Sequence, residues 1–358
     1  MPHTSPHLFT PDATLIPYGP SHMIADHYGH PTQEYSCLMQ HAGIMTATHR
    51  GVLQLSGKDR LKFLHSLLTQ DVASLTPGDI RYSFMLNVKG RIIADMVLVA
   101  LEDTLYLDID ARLAVPLMQT LERYLFSDDV TIFDASGRLR RLSVIGPEAA
   151  AVLAAALPGI HLPAAGKALP CPQIHGWTYR RDLLGVPQWE LAIADPIAAE
   201  VRQRLATAAG GAQVGWSAFN ITRVAAGTPW YGIDITDQHL PMETGPAYLR
   251  AVHLSKGCYV GQEVVARMHS HKTVARALMG MEITGTETPA AEAPIYDGQQ
   301  VVGHITSAAP SPIRPGTIAA MGYVKKAYAS DGRRLSVQIG TQRTPLVLRE
   351  LSSQELMK

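Results

Sequence analysis

One short pattern recurs in this chain and narrows its fold more than any other feature. Leu53-Gln54-Leu55-Ser56-Gly57 and Leu142-Ser143-Val144-Ile145-Gly146 are segments of the same kind, shifted by 89 residues. Each reads as a strand that stops at a glycine and runs into a helix. After Gly57 come Lys58-Asp59-Arg60 and an apolar stripe of Leu61, Leu64, Leu67 and Leu68. After Gly146 comes Pro147, which suits a first helical turn because the N–H it lacks would have no partner there. A second pair follows in the same order. Residues 105–110 precede a helix over about 111–124, and residues 189–195 precede a helix opening at Pro196. Two matches in one order suggest two related α+β units, each with helices on one face of a mostly antiparallel sheet.

Between the repeats, residues 82–87, 92–101 and 104–110 read as strands, with turns at Lys89-Gly90 and Glu102-Asp103. The character changes after Ala275. Apolar β-type runs at 277–283, 300–307, 318–324, 335–339 and 345–348 are separated by turn residues. They predict a small all-β domain, a barrel or a sandwich. Residues 1–33 are rich in Pro, His, Ser and Thr without periodicity and read as an irregular extension. His22, His27 and His30 there lack a spacing that fits a helix face or a turn, so they read as a polar tail rather than a metal site.

Apolar residues make up 46% and charged residues 17%, which excludes a disordered chain. Lys plus Arg equal Asp plus Glu at 31 each, so there is no basic excess to hold a phosphate backbone, and no direct nucleic-acid partner is expected. The longest apolar window, residues 149–156, is far short of the roughly 20 residues of a membrane span, so no membrane partner is expected either. Three scattered cysteines, Cys37, Cys171 and Cys258, exclude a disulfide framework and a closed four-cysteine metal site within one chain; no metal is expected. Residues 1–49 hold no Lys or Arg, which a secretory or mitochondrial leader requires. The expected location is cytoplasmic.

The segment richest in chemistry is Lys256-Gly257-Cys258-Tyr259-Val260-Gly261-Gln262-Glu263. Two glycines bracket a thiol in a loop, and a helix is expected over 263–268. A thiol near a helix start with Lys256 close by favours the thiolate and hence reactivity. The same residues equally suit a buried structural cysteine with a surface lysine. Cys37, beside Leu38-Met39, reads as packed away, and Cys171, between Pro170 and Pro172, as exposed in a linker.

This octapeptide resembles the signature of the YgfZ-type folate-binding proteins, a group within the superfamily of the glycine-cleavage T-protein, the aminomethyltransferase. The resemblance extends over about residues 37–350. It is carried also by Gly57-Lys58-Asp59, residues 82–87, Gly90-Arg91-Ile92-Ile93-Ala94-Asp95, Trp189-Glu190-Leu191, Arg223 through Asp234, Pro241-Met242-Glu243 and residues 302–307. It implies an α+β fold, a three-domain cloverleaf with two related α+β domains around a folate-binding hole and a C-terminal β-barrel. The boundaries it implies are 1–33 for the extension, 34–50 plus 139–222 for the first α+β domain, 51–138 plus 223–275 for the second, and 276–358 for the barrel.

The implied cofactor is tetrahydrofolate, a reduced folate. Glu190 resembles the family's pterin-gripping glutamate, since one carboxylate can accept from a ring N–H and the neighbouring amine together. Tyr82 stands where the family has an aromatic or hydroxyl contact, and Arg223 resembles the arginine near the ligand's polar end. Asn87 and Asp95 match the strand and turn beside the reactive end. Cys258 with Lys256 would form the catalytic or functional thiol site. T-proteins carry two adjacent aspartates after Gly-Gly-x-x, whereas here Ala94 replaces one and Asp95 remains. That departure, with the cysteine motif, implies an accessory factor for iron–sulfur assembly or repair, partnered by iron–sulfur client or assembly proteins and so affecting tRNA methylthiolation. The alternative is a folate-dependent aminomethyl- or methyltransferase or demethylase.

Overall fold

A computed structural model describes residues 8–208, 210–271, 274–311 and 314–351. The chain divides into two compact units, one of residues up to Ser83 with Ala94–Phe219, the other of Phe84–Ile93 with residues from Asn220 onward.

In the first unit a six-stranded sheet runs in the order Ala168–Cys171, Gly176–Arg180, Gln188–Ala194, Leu139–Ile145, Ala42–Thr46, Gly211–Gln213. All its pairs are antiparallel except the last. Helices Ala149–Ala156 and Asp195–Thr207 share a core with Leu142, Val144, Leu191 and Ile193. Strand alternation then assigns the opposite face to Arg141, Ser143 and Glu190. The register sets Glu190 directly across from Ser143. The five-stranded sheet runs Ile80–Leu86, Ile92–Ala100, Leu105–Asp110, Arg50–Ser56, Thr131–Asp134. Strand Leu105–Asp110 is followed at Ala111–Leu113 by a short 3-10 turn and at Ala114–Glu122 by a helix.

The two repeated glycines have one physical reason in common. Gly57 has φ +99° and Gly146 φ +131°, a region that L side chains rarely enter. A Cβ on Gly57 would lie 2.1 Å from the Asp129 carbonyl oxygen, and one on Gly146 2.2 Å from that of His41. Each strand therefore exits into its helix, Arg60–His65 or Ala149–Ala156, by passing its backbone against another backbone. Gly146→Ala should destabilise the protein by about 2–4 kcal/mol, the strain of a disfavoured φ plus a clash. Urea denaturation should show a lower midpoint at unchanged slope.

In the second unit six strands close a barrel: Arg276–Thr284, Thr317–Lys325, Gln300–Pro310, Pro294–Asp297, Arg334–Ile339, Gln342–Arg349. Ile283, Ile295, Val302, Ile305, Ile318 and Val337 fill it. The choice between barrel and sandwich falls to the barrel.

Two expectations need correction. The stretch before residue 34 is not irregular where it is described. Thr14–Tyr18 and His22–His27 form an antiparallel hairpin, with Gly19 at φ +71° in the turn and Tyr18 and Ile24 buried. Strands this short carry too few apolar positions to show a period. Cys171 is not in an exposed linker. It ends strand Ala168–Cys171 at an exposure of 2%, and burial pushes its thiol pKa up.

Candidate functional site

The polar faces of the two sheets in the first unit carry a cluster of buried charges. Asp108 is fully buried. Arg50 Nε donates to it at 2.7 Å, Tyr179 Oη at 2.6 Å, and Arg141 Nη2 also donates to it. Burial pushes the Asp108 pKa up, but Arg141, Arg50 and Arg181 outweigh that and hold the carboxyl well below its usual range. The Glu190 carboxylate accepts from Ser143 Oγ at 2.7 Å and from Gln188 Nε2 at 2.6 Å. Arg141 Nη2 and Arg181 Nη2 stand 3.5 and 3.6 Å from its oxygens.

Asp95 belongs to the same electrostatic group but is held differently. Tyr82 Oη donates to Asp95 Oδ2 at 2.8 Å, while Asp95 Oδ1 is buried without a hydrogen-bond partner. Burial raises the Asp95 pKa, and the Arg50 charge, the Tyr82 hydroxyl and the Arg181 charge only partly offset this. A buried carboxyl with a raised pKa and a vacant lone-pair oxygen can hold or release a proton at that oxygen. Arg181 acts on both Asp95 and Glu190, so it links two of the residues picked out from the sequence.

His49 adjoins this cluster among Tyr18, Trp216 and Phe219, with ring centroids 5.9, 5.6 and 6.2 Å away. Burial, helped by the neighbouring Arg50 charge, lowers its pKa to about 3. The native state therefore refuses a proton that the unfolded chain takes up near pH 6.5. Stability should fall as pH drops below that value, by about 1.4 kcal/mol per pH unit while only the unfolded state is protonated. Denaturant midpoints between pH 7 and pH 5 should fall less steeply in His49→Phe than in the wild type. Parallel curves would remove His49 as the cause.

Arg50, Asp108, Arg141, Tyr179 and Arg181 escaped the sequence reading. The available signal was a charge inside a strand whose neighbours are apolar, as at Asp108 between Leu107 and Ile109 in Leu105–Asp110.

In the second unit, Asn87 Oδ1 accepts from the Lys89 and Arg91 N–H groups at 2.9 and 3.1 Å, closing the turn between strands. This turn packs against the loop that carries Cys258. A Cβ on Gly261 would lie 2.7 Å from the Asn87 carbonyl oxygen, and one on Gly90 2.8 Å from Val264 Cβ. Cys258 is exposed, four residues before helix Gln262–His271. Lys256 is buried, and its ammonium sits 4.9 Å from the Tyr259 ring centroid. Arg223 is 1% exposed. Its guanidinium donates to Asp234 Oδ2 at 2.7 Å and Ser307 Oγ at 2.8 Å, tying helix Trp216–Ala225 to strand Gln300–Pro310.

Cys37 is half-buried, and burial raises its pKa. Among the described residues no group of three or more His, Cys, Asp or Glu side chains could hold a metal ion. No described helix is long and apolar enough to cross a membrane.

The GCVT N-terminal domain matches residues 6–256, and the glycine cleavage T-protein C-terminal barrel domain matches residues 276–351. The chain belongs to the glycine cleavage T-protein family. An aminomethyltransferase of Thermosynechococcus vestitus is 28% identical over 344 residues, covering 94% of this chain and 91% of that protein. One from Streptomyces avermitilis is 28% identical, covering 85% and 84%. The crystal structure of the glycine cleavage system aminomethyltransferase T from Bartonella henselae aligns with a TM-score of 0.88 at 25% identity, covering 96% of this chain and 95% of that one. The T-protein fold, two α+β domains and a six-stranded barrel, is the fold of this chain.

Proposed function

We propose that this T-protein family member transfers a one-carbon unit, of the aminomethyl type, in a tetrahydrofolate-dependent reaction centred on Asp95. One observation carries the proposal: a buried Asp95 fixed by Tyr82 with Oδ1 left as an unused acceptor. Tetrahydrofolate is the cofactor of this family, and it supplies the amine that receives the one-carbon unit. The acceptors suit such a ligand. Asp95 Oδ1 offers a lone pair to a ligand N–H, and Glu190 Oε1 keeps one beyond its Gln188 bond. Tyr82 orients the Asp95 carboxyl, and burial keeps it able to carry a proton. The Arg50 and Arg181 charges limit the rise in its pKa, so that the proton can also leave. Aminomethyltransferases among the relatives support the same chemistry. The domain boundaries read from the sequence belong to this proposal.

A second reading rests on Cys258. An exposed thiol in the motif Lys256-Gly257-Cys258-Tyr259-Val260-Gly261-Gln262-Glu263 favours a YgfZ-type accessory role toward iron–sulfur proteins and, through them, tRNA methylthiolation. A strain lacking the protein, complemented with Asp95→Asn or Cys258→Ser, separates the readings. Transfer chemistry requires that Asp95→Asn fail and Cys258→Ser restore growth and folate-dependent flux. The accessory role requires the reverse, read as iron–sulfur enzyme activity.

A further inference from the structure

The first unit encloses a cavity of about 510 Å³, within the range of roughly 300–1,000 Å³ typical of small-molecule sites. It lies beneath the N-terminal hairpin turn, Pro20 to His22, beside the helix Ala114–Glu122. Tyr82, Asp95 and Glu190 are not among the described residues that line it, although Arg50 and Arg141 of the cluster above are.

Its lining is of two kinds. Leu8, Ala47, Ala114, Val115 and Leu139 give it apolar walls. Arg50, Arg112, Arg140 and Arg141 contribute the cations, against Asp134 as the one acid among the described lining residues. The acids that pair with these arginines, Asp108, Asp110 and Asp195, do not line the cavity. Asp134 Oδ1 already accepts from the Ser136 N–H at 2.9 Å. The lining is thus apolar with four guanidiniums, each of which also pairs with one of the acids Asp108, Asp110 and Asp195.

Arg141 adds an independent observation. Its side chain is 1% exposed, and its Nε and Nη1 are buried without hydrogen-bond partners. Buried donors in native proteins are nearly always paired. What these lack is an acceptor, and a carboxylate offers two oxygens in the geometry a guanidinium fork matches.

We propose that this cavity binds a small amphipathic carboxylate, its apolar body against Ala114, Val115 and Leu139 and its carboxylate toward the arginines. The rim is accessible, since Val115 is 52% exposed and the Arg112 side chain 31% exposed.

The test uses the full chain and fluorescence of anilinonaphthalene sulfonate, an aromatic anion, as probe. One saturable site is expected, with octanoate displacing the probe and octanol, which has the same apolar body without the charge, failing to do so. Tetrahydrofolate should not displace it. Val115→Trp narrows the exposed rim, and Arg112→Gln removes a cation there. Each should weaken binding by at least about tenfold, the size of one lost charge-assisted bond or of a blocked entry, while the melting temperature confirms that the variant is folded. The proposal is overturned if octanol competes as well as octanoate, if tetrahydrofolate competes, or if both folded variants bind like the wild type.

Discussion

Asp108→Ala should cost about 3–5 kcal/mol of stability, because it removes one partner of a buried ion cluster and strands the others. Asp108 is the only carboxylate to which Arg50 and Arg141 both donate among the described contacts. Without it, two guanidiniums that expose 7% and 1% of their side chains would keep their charges and lose their nearest counter-ion. Arg141 cannot turn to water, since it is packed over the Trp177 ring at 4.7 Å. Tyr179 would also lose the acceptor of its hydroxyl. Asp108→Asn keeps the shape and part of the hydrogen bonding but not the charge, so it should fall between the wild type and alanine. Guanidinium denaturation of the three proteins checks the order. A loss below about 1 kcal/mol in Asp108→Ala would match an exposed pair and would mean that the cluster is hydrated.

This cluster also marks the limit of what the sequence shows. The strand–glycine–helix repeat was legible because it obeys local rules: alternation, a residue that tolerates positive φ, and a helix start. Gly57 and Gly146 bear it out with matching conformations and matching backbone contacts. The β-rich character after Ala275 was legible for the same reason, but closure into a barrel depends on strand pairs far apart in sequence, such as Arg276–Thr284 with Gln342–Arg349. The hairpin of Thr14–Tyr18 and His22–His27 was missed because five or six residues carry too little periodic signal.

At the site, the sequence offers Tyr82 and Asp95 as separate candidates, and their direct bond follows from strand pairing that no local pattern reports. Arg181 was invisible because a charged residue beside Arg180 and Asp182 reads as a solvated turn. Only the fold reveals that it faces Glu190. The resemblance implies a place for Arg223 near the ligand's polar end, while the structure shows its guanidinium engaged with Asp234 and Ser307.

Asp95→Asn should separate function from stability, and the two effects should have opposite signs. Asparagine keeps the shape of the side chain and an acceptor for the Tyr82 hydroxyl, but it cannot take up or release a proton. If Asp95 Oδ1 moves the proton during transfer, the rate of one-carbon transfer to tetrahydrofolate should fall by about 10²–10⁴-fold, the usual contribution of a positioned acid or base. Folding stability should not fall with it. Burial raises the Asp95 pKa, so the native state binds a proton more tightly than the unfolded chain does. Relative to its fully protonated form, the protein therefore loses stability as pH rises above the ordinary carboxyl value near 3.9 and the unfolded chain ionises. A neutral side chain escapes that loss, and the variant should be at least as stable as the wild type at pH 7. A residue selected for packing would behave in the opposite way, since its replacement would cost stability and spare the rate. Transfer kinetics and urea denaturation on the same preparations decide between them. A variant that is both less stable and fully active would place Asp95 in the framework of the sheet and leave the transfer reaction without its proton carrier.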